Sequence, residues 1–268
     1  MVPLTTLDYP GQLACVLFCQ GCAWRCRYCH NPALLCPRGE QEVPWAEVRA
    51  FLRRRQGLLD AVVFSGGCPW RCGYCHNPDL QRRGSARLHW PEVLAWLETR
   101  VGLLDAVVFS GGEATLQPGL PAAMHEVRAL GFKVGLHSAG IKPSAFKRVL
   151  PLSDWVGFDV KALEEETALI TGVTDSGRAN WQSLEWLLDS GVDYECRTTV
   201  HWQLTDCRRL QRLAERLAGM GVQHFVVQQV RSAQMLDPAL GAAISPAEAG
   251  ALWAYLEQLF PRFTLRQA

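Results

Sequence analysis

The chain has 268 residues, 49% of them apolar and 20% charged, with 27 Lys plus Arg against 26 Asp plus Glu and a net charge of +1. These fractions exclude disordered, collagen-like and low-complexity classes, and the length suits one or two domains or a single α/β barrel-like domain. The near-zero charge argues against a nucleic-acid binder that works by phosphate neutralisation. The longest apolar run near the start, Leu13 to Cys19, is too short to cross a bilayer, so a cytoplasmic protein without membrane or nucleic-acid partners is expected.

Apolar, β-branched runs bounded by glycine predict buried strands over Leu13–Phe18, Leu59–Phe64 and Leu104–Phe109. Helices are predicted over Pro44–Arg55 and Pro91–Arg100, each with proline in its first turn. The alternation continues with helix Gly119–Leu130, strand Phe132–His137, helix Pro143–Leu150, strand Trp155–Val160, helix Asn180–Asp189 and strand Tyr194–Val200. Helix Asp206–Ala218 and strand His224–Gln228 follow, then a last helix opened by Ser245-Pro-Ala-Glu248, which reads as a capping box. Strand-then-helix repetition means parallel strands joined by right-handed crossovers, with function expected where strands end and loops begin.

Eleven cysteines in a chain without a secretory signal suggest metal or redox chemistry rather than a disulfide scaffold. Six of them form two C-x3-C-x2-C loops, Cys22, Cys26, Cys29 and Cys68, Cys72, Cys75, each followed by His-Asn-Pro. The similarity extends further. Gly57–Gly67 recurs letter for letter as Gly102–Gly112, so a unit over about 22–67 is copied as 68–112, and removing one copy leaves about 222 residues. Two copies are too few for a solenoid or propeller; the reading is one domain over 1–268 with an internal duplication.

Three thiolates on one loop do not match the paired C-x2-C arrangement usual for structural zinc. A [4Fe-4S] cluster normally takes four cysteines, so three leave one iron open to a chelating substrate.

The chain resembles the radical S-adenosylmethionine superfamily, and within it the activating proteins of anaerobic ribonucleoside-triphosphate reductase. The resemblance rests on Leu4–Gly11, Phe18–Cys22, both cysteine loops, Ser110-Gly-Gly-Glu113, His137-Ser-Ala-Gly140, Asp159-Val-Lys161, Arg197-Thr-Thr-Val-His201 and Gln228. It implies a partial (β/α)6 TIM-like barrel, here with one duplicated βα unit. It further implies a [4Fe-4S] cluster that donates one electron to S-adenosylmethionine, giving methionine and a 5′-deoxyadenosyl radical. On this reading Glu113 accepts from the cofactor's ammonium, and Gly111 and Gly112 let the backbone approach it. Tyr28 or Tyr74 faces the adenine. Asp159 and Lys161 form the catalytic pair, with Lys161 meeting the carboxylate, and Arg197 and His201 reach the ribose or carboxylate. The implied partners are a glycyl radical enzyme, anaerobic ribonucleotide reductase, and a low-potential donor such as flavodoxin.

Two departures from the family pattern stand out: Ala114 replaces the usual proline after Gly-Gly-Glu, predicting a looser turn, and the cysteine loop is doubled. The lead-in Leu4–Cys22 favours the first triad, whereas spacing favours the second, since Cys75 lies 36 residues before Gly111 and Cys29 lies 82 before it. Phe64-Ser-Gly-Gly-Cys68 also repeats the spacing of Phe18-Cys-Gln-Gly-Cys22. If strands add in sequence order, the second loop neighbours Glu113, and Cys68, Cys72 and Cys75 are assigned the catalytic cluster, with the first triad Cys22, Cys26 and Cys29, or two clusters at once, as the alternatives. Other readings are a radical enzyme acting on another peptide or small molecule, and a non-catalytic iron-sulfur carrier or impaired duplication product. His30 and His76 read as turn residues, Gln228 and Gln229 as a strand end, and Trp24 and Trp70 as shields for a cluster.

Overall fold

The computed structural model describes residues 2–5, 14–16, 59–70, 72, 74, 88–230, 237, 240, 241 and 243–266. Strands β1 (Val2–Thr5) and β2 (Ala14–Val16) form an antiparallel pair. From β3 onward strands and helices alternate: β3 (Leu59–Ser65), α1 (Trp90–Glu98), β4 (Leu104–Gly111), α2 (Leu120–Ala129), β5 (Lys133–Ser138), α3 (Pro143–Val149) and β6 (Trp155–Asp159). Then come α4 (Thr167–Thr171), α5 (Ser176–Ser190), β7 (Asp193–Val200), α6 (Cys207–Gly219), β8 (His224–Gln229), α7 (Ala249–Leu259) and β9 (Arg262–Arg266).

Strands β3 to β9 make one seven-stranded sheet, parallel throughout and ordered β3-β4-β5-β6-β7-β8-β9, so strands add in sequence order and the sheet does not close. This is the expected partial barrel, an open α/β sheet of strand-then-helix units with an added last strand.

Strand alternation sorts the residues by face. Val107, Phe109, Val134, Leu136, Val156, Phe158, Phe225 and Val227 enter the main core with α1, α2, α3, α5, α6 and α7. Those helices bring apolar stripes such as Leu210, Leu213, Ala214 and Leu217 of α6. The intervening residues, among them Ser110, His137, Asp159, Glu195, Arg197 and Gln228, belong to the opposite face. There the described apolar cluster is small: Val62, Val108 and Phe64.

The duplicated strands β3 and β4 lie side by side. Leu59 pairs with its copy Leu104, but a register shift before Ala61 sets Phe64 opposite Ser110 and Ser65 opposite Gly111. The predicted strand Leu13–Phe18 is not a member of this sheet; its described part pairs antiparallel with β1. A short connection suffices for such a pair, whereas a parallel partner needs a crossover. Helix Pro44–Arg55 lies outside the described residues.

Three local expectations are corrected. Ser245 does not cap α7: its hydroxyl accepts from Gln229 Nε2 at 2.8 Å, and the helix starts at Ala249 after Glu248. The turn at Ala114 is tight, a 3-10 turn in which Gln117 N donates to Ala114 O at 3.0 Å. Helix α5 begins at Ser176 rather than Asn180, and α4 and β9 are additional elements. No helix among the described residues is long and apolar enough to cross a membrane.

Candidate functional site

Strand β3 delivers the second cysteine loop, and β4 delivers Gly-Gly-Glu beside it. Their ends are joined by backbone bonds: Gly112 N donates to Ser65 O at 3.0 Å and Glu113 N to Gly67 O at 3.0 Å, while Gln117 Nε2 donates to Gly66 O. Gly111 has φ +132°, and a Cβ there would lie 2.1 Å from Ser65 O. The first glycine of the motif is therefore required by the approach of the cysteine-loop root.

Cys68 is half-buried and Cys72 buried. They pack in an apolar cluster with Trp70, Tyr74, Ala162, Ile170, Val230 and Leu240, in which Trp70 is buried. Cys75, the first triad Cys22, Cys26 and Cys29, and Tyr28, Trp24, His30 and His76 lie outside the described residues. Among the described residues no three metal-ligating side chains of the Cys, His, Asp and Glu types converge.

Glu113 is buried, and both carboxylate oxygens are engaged. Oε1 accepts from Thr115 Oγ1 at 2.6 Å, Ser138 Oγ at 2.7 Å and Thr115 N at 3.2 Å; Oε2 accepts from Ala139 N at 2.9 Å. Burial pushes its carboxyl above the usual range, against the lowering effect of these donors. Of the supporting residues, Ser138 and Ala139 lie inside the motif His137–Gly140, but their task was not read from it; Thr115 follows the motif and carried no signal.

Asp159 ends β6. Its Oδ2 accepts from Lys161 Nζ at 2.9 Å and its Oδ1 from Arg197 Nε at 2.8 Å. Burial acts to raise this carboxyl, but the Arg197 guanidinium and Lys161 ammonium outweigh it and hold it well below the usual carboxylate range. Arg197 also donates from Nη2 to Gly157 O at 3.0 Å. Lys161 Nζ lies 5.6 Å from the centre of the Tyr74 ring, which ties this ion cluster to the cysteine loop.

His201 is buried and engaged elsewhere. Its Nε2 lies 3.1 Å from Gly241 O, and its Nδ1 accepts from Gln203 N at 3.3 Å, an arrangement that fits a neutral ring with its proton on Nε2. Burial lowers its pKa, consistent with that form. Gln228 is the last residue but one of β8, where its Oε1 accepts from Arg266 at 3.3 Å; Arg266 in turn makes a bidentate pair with the buried Glu195, at 2.8 and 2.9 Å.

Thus Cys68, Cys72, Tyr74, Glu113, Asp159 and Lys161 come from the C-terminal ends of β3, β4 and β6 or the loops that follow them, the end where open parallel α/β sheets bind ligands, and Arg197 reaches Asp159 from within β7. The described donors are two cysteine sulfurs in an apolar surround, a buried carboxylate and an anchored ammonium. They fit an iron-sulfur cluster and a ligand that carries both an amino and a carboxylate group.

A profile of the Radical SAM superfamily matches residues 62–209, from β3 into α6. No curated protein sequence matches the chain. Among solved structures, Streptococcus suis SuiB bound to its precursor peptide SuiA aligns with TM-score 0.62 and 14% identity over 85% of this chain and 55% of SuiB. The anSMEcpe structure with AdoMet and the Kp18Cys peptide gives 0.60 and 16% over 77% of this chain and 63% of that one. Methylornithine synthase gives 0.59 and 11% over 84% and 72%. The chain spans just over half of SuiB's length, and at these identities the likeness is one of fold.

Proposed function

The chain belongs to the radical SAM superfamily, and from that premise we propose that it binds S-adenosylmethionine at a [4Fe-4S] cluster held by Cys68, Cys72 and Cys75. In this reading it is an oxidoreductase that installs the glycyl radical of anaerobic ribonucleotide reductase. The observation that carries the cluster assignment is the pair of backbone bonds from Gly112 to Ser65 and from Glu113 to Gly67, which sets the second cysteine loop beside the buried Glu113. The family match supports the same triad, since it begins at residue 62, beyond the first one.

When bound, the reduced cluster supplies one electron that splits the cofactor into methionine and a 5′-deoxyadenosyl radical. This chain's residues bind and orient. Glu113, fixed by Ser138, Thr115 and Ala139, presents its carboxylate to the ammonium. Lys161, held by Asp159, offers its charge to the cofactor's carboxylate. Tyr74 and Trp70 exclude water around the thiolates. Arg197 fixes Asp159 from the neighbouring strand, and His201 orders the loop at Gly241.

Support for the activase reading is the run of motifs from Leu4 to Gln228. Anaerobic reconstitution, reduction by flavodoxin and addition of the reductase test it by electron paramagnetic resonance. A glycyl doublet on the partner is the expected result. 5′-Deoxyadenosine without that doublet directs the same chemistry to another peptide or small molecule, and iron binding without cofactor cleavage contradicts both.

A further inference from the structure

Helix α5 holds the backbone of the strand ends that carry the site. Asn180, fully buried, donates its two amide hydrogens to two different strand ends, to Ala139 O at 2.7 Å and Asp159 O at 2.9 Å. One turn on, Ser183 Oγ donates to Gly140 O at 2.6 Å, and Trp181 Nε1 donates to Ala162 O at 3.2 Å. Helix and loop are in direct contact, for a Cβ on Gly140 would lie 2.4 Å from Ser183 Cβ.

The Ala139 peptide therefore accepts from Asn180 through its carbonyl while its N–H donates to Glu113 Oε2. The Asp159 carbonyl is held by the same amide while its carboxylate receives Arg197 and Lys161. One side chain bridges the two charged groups of the site, which come from β4 and β6 and do not share a neighbouring strand pair. Asn180 Oδ1 meets no donor among the described residues, so the amide's contribution is its pair of N–H groups.

We infer that Asn180 is a positioning residue that fixes the separation of Glu113 from the Asp159–Lys161 pair, and with it the affinity for the amino-acid end of S-adenosylmethionine. The inference rests on the cofactor reading above, and two measurements keep the two apart. Hydrogen exchange of the 138–141 amides, without cofactor, reads the clamp; calorimetric binding of S-adenosylmethionine to the reconstituted protein reads its consequence. The variants are Asn180→Asp, which keeps the shape and removes both donors, and Asn180→Ser, which keeps one. Leu187→Ala, in the buried face of the same helix, is the control for lost stability alone.

Faster exchange at 138–141 and binding weakened about ten-fold are expected for Asn180→Asp, which loses both donors, within the range for two lost hydrogen bonds, with Asn180→Ser between. Leu187→Ala leaves binding at the wild-type value and speeds exchange at 138–141 no more than in the rest of the sheet. Unchanged exchange in Asn180→Asp, or the same change in Leu187→Ala, overturns the inference. Wild-type protein that binds no S-adenosylmethionine, with exchange altered only in the Asn180 variants, overturns the cofactor reading and leaves the clamp standing.

Discussion

Lys161 Nζ lies 5.6 Å from the ring centre of Tyr74, so a cation held at the end of β6 touches the aromatic residue that precedes Cys75. The contact joins the ion cluster of Asp159 and Arg197 to the second cysteine loop.

Lys161→Met removes the ammonium while keeping length. Binding of S-adenosylmethionine is expected to weaken about 10- to 100-fold, the range for a lost charge-assisted hydrogen bond. Global stability changes little by comparison, because Asp159 retains Arg197. Calorimetry and thermal melts on the same preparation check both halves.

Asp159 gives a pH dependence of definite sign. Its folded carboxyl is held well below the ordinary value, burial being outweighed by Arg197 and Lys161. The stability it contributes is present above the unfolded pKa, about 3.9, and is lost as pH falls below that toward the folded value. Asp159→Asn is expected to be less stable at neutral pH and to show a flatter fall in stability below about pH 4. Urea midpoints measured across that range test it.

Gly111→Ala places a methyl group 2.1 Å from Ser65 O at φ +132°. The strands must part at the root of the cysteine loop, and a loss of about 3 kcal/mol or more is expected from strain and clash together. Gly119→Ala, where a Cβ meets nothing within 4 Å, is expected to cost under about 0.5 kcal/mol. Denaturant unfolding of the two variants makes the comparison.

Arg266→Ala leaves Glu195, fully buried, without its bidentate partner. A loss of about 3–5 kcal/mol is expected, while the double change Glu195→Gln with Arg266→Met recovers much of it. A double-mutant cycle measures the coupling.

The sheet was legible where its strands are continuous apolar runs, as in Val107–Phe109 and Phe225–Val227. Strand β9 was not, because Arg262-Phe-Thr-Leu-Arg266 has only two apolar residues and follows a helix directly. Leu13–Phe18 and Leu59–Phe64 share one pattern, so periodicity alone could not say which would stand beside β4; the register with β4 and the Ser65–Gly112 bond belong to Leu59–Ser65. In the site, Glu113, Asp159 and Lys161 were legible as motif residues at strand ends, whereas Arg197, expected at a strand end, lies within β7. Ser138 and Asn180 act through bonds to residues 21 to 41 positions away, which no local pattern encodes, whereas Thr115 bonds Glu113 from two positions on.

The assignment of the cluster to the second cysteine loop is tested most directly by electron paramagnetic resonance of the reduced, reconstituted protein with and without S-adenosylmethionine. Two triple variants are compared, Cys22, Cys26 and Cys29 all changed to Ala, and Cys68, Cys72 and Cys75 all changed to Ala. A cofactor-induced change in the cluster signal that survives in the first variant and vanishes in the second is the predicted result. Its survival in the second variant and loss in the first would contradict the account.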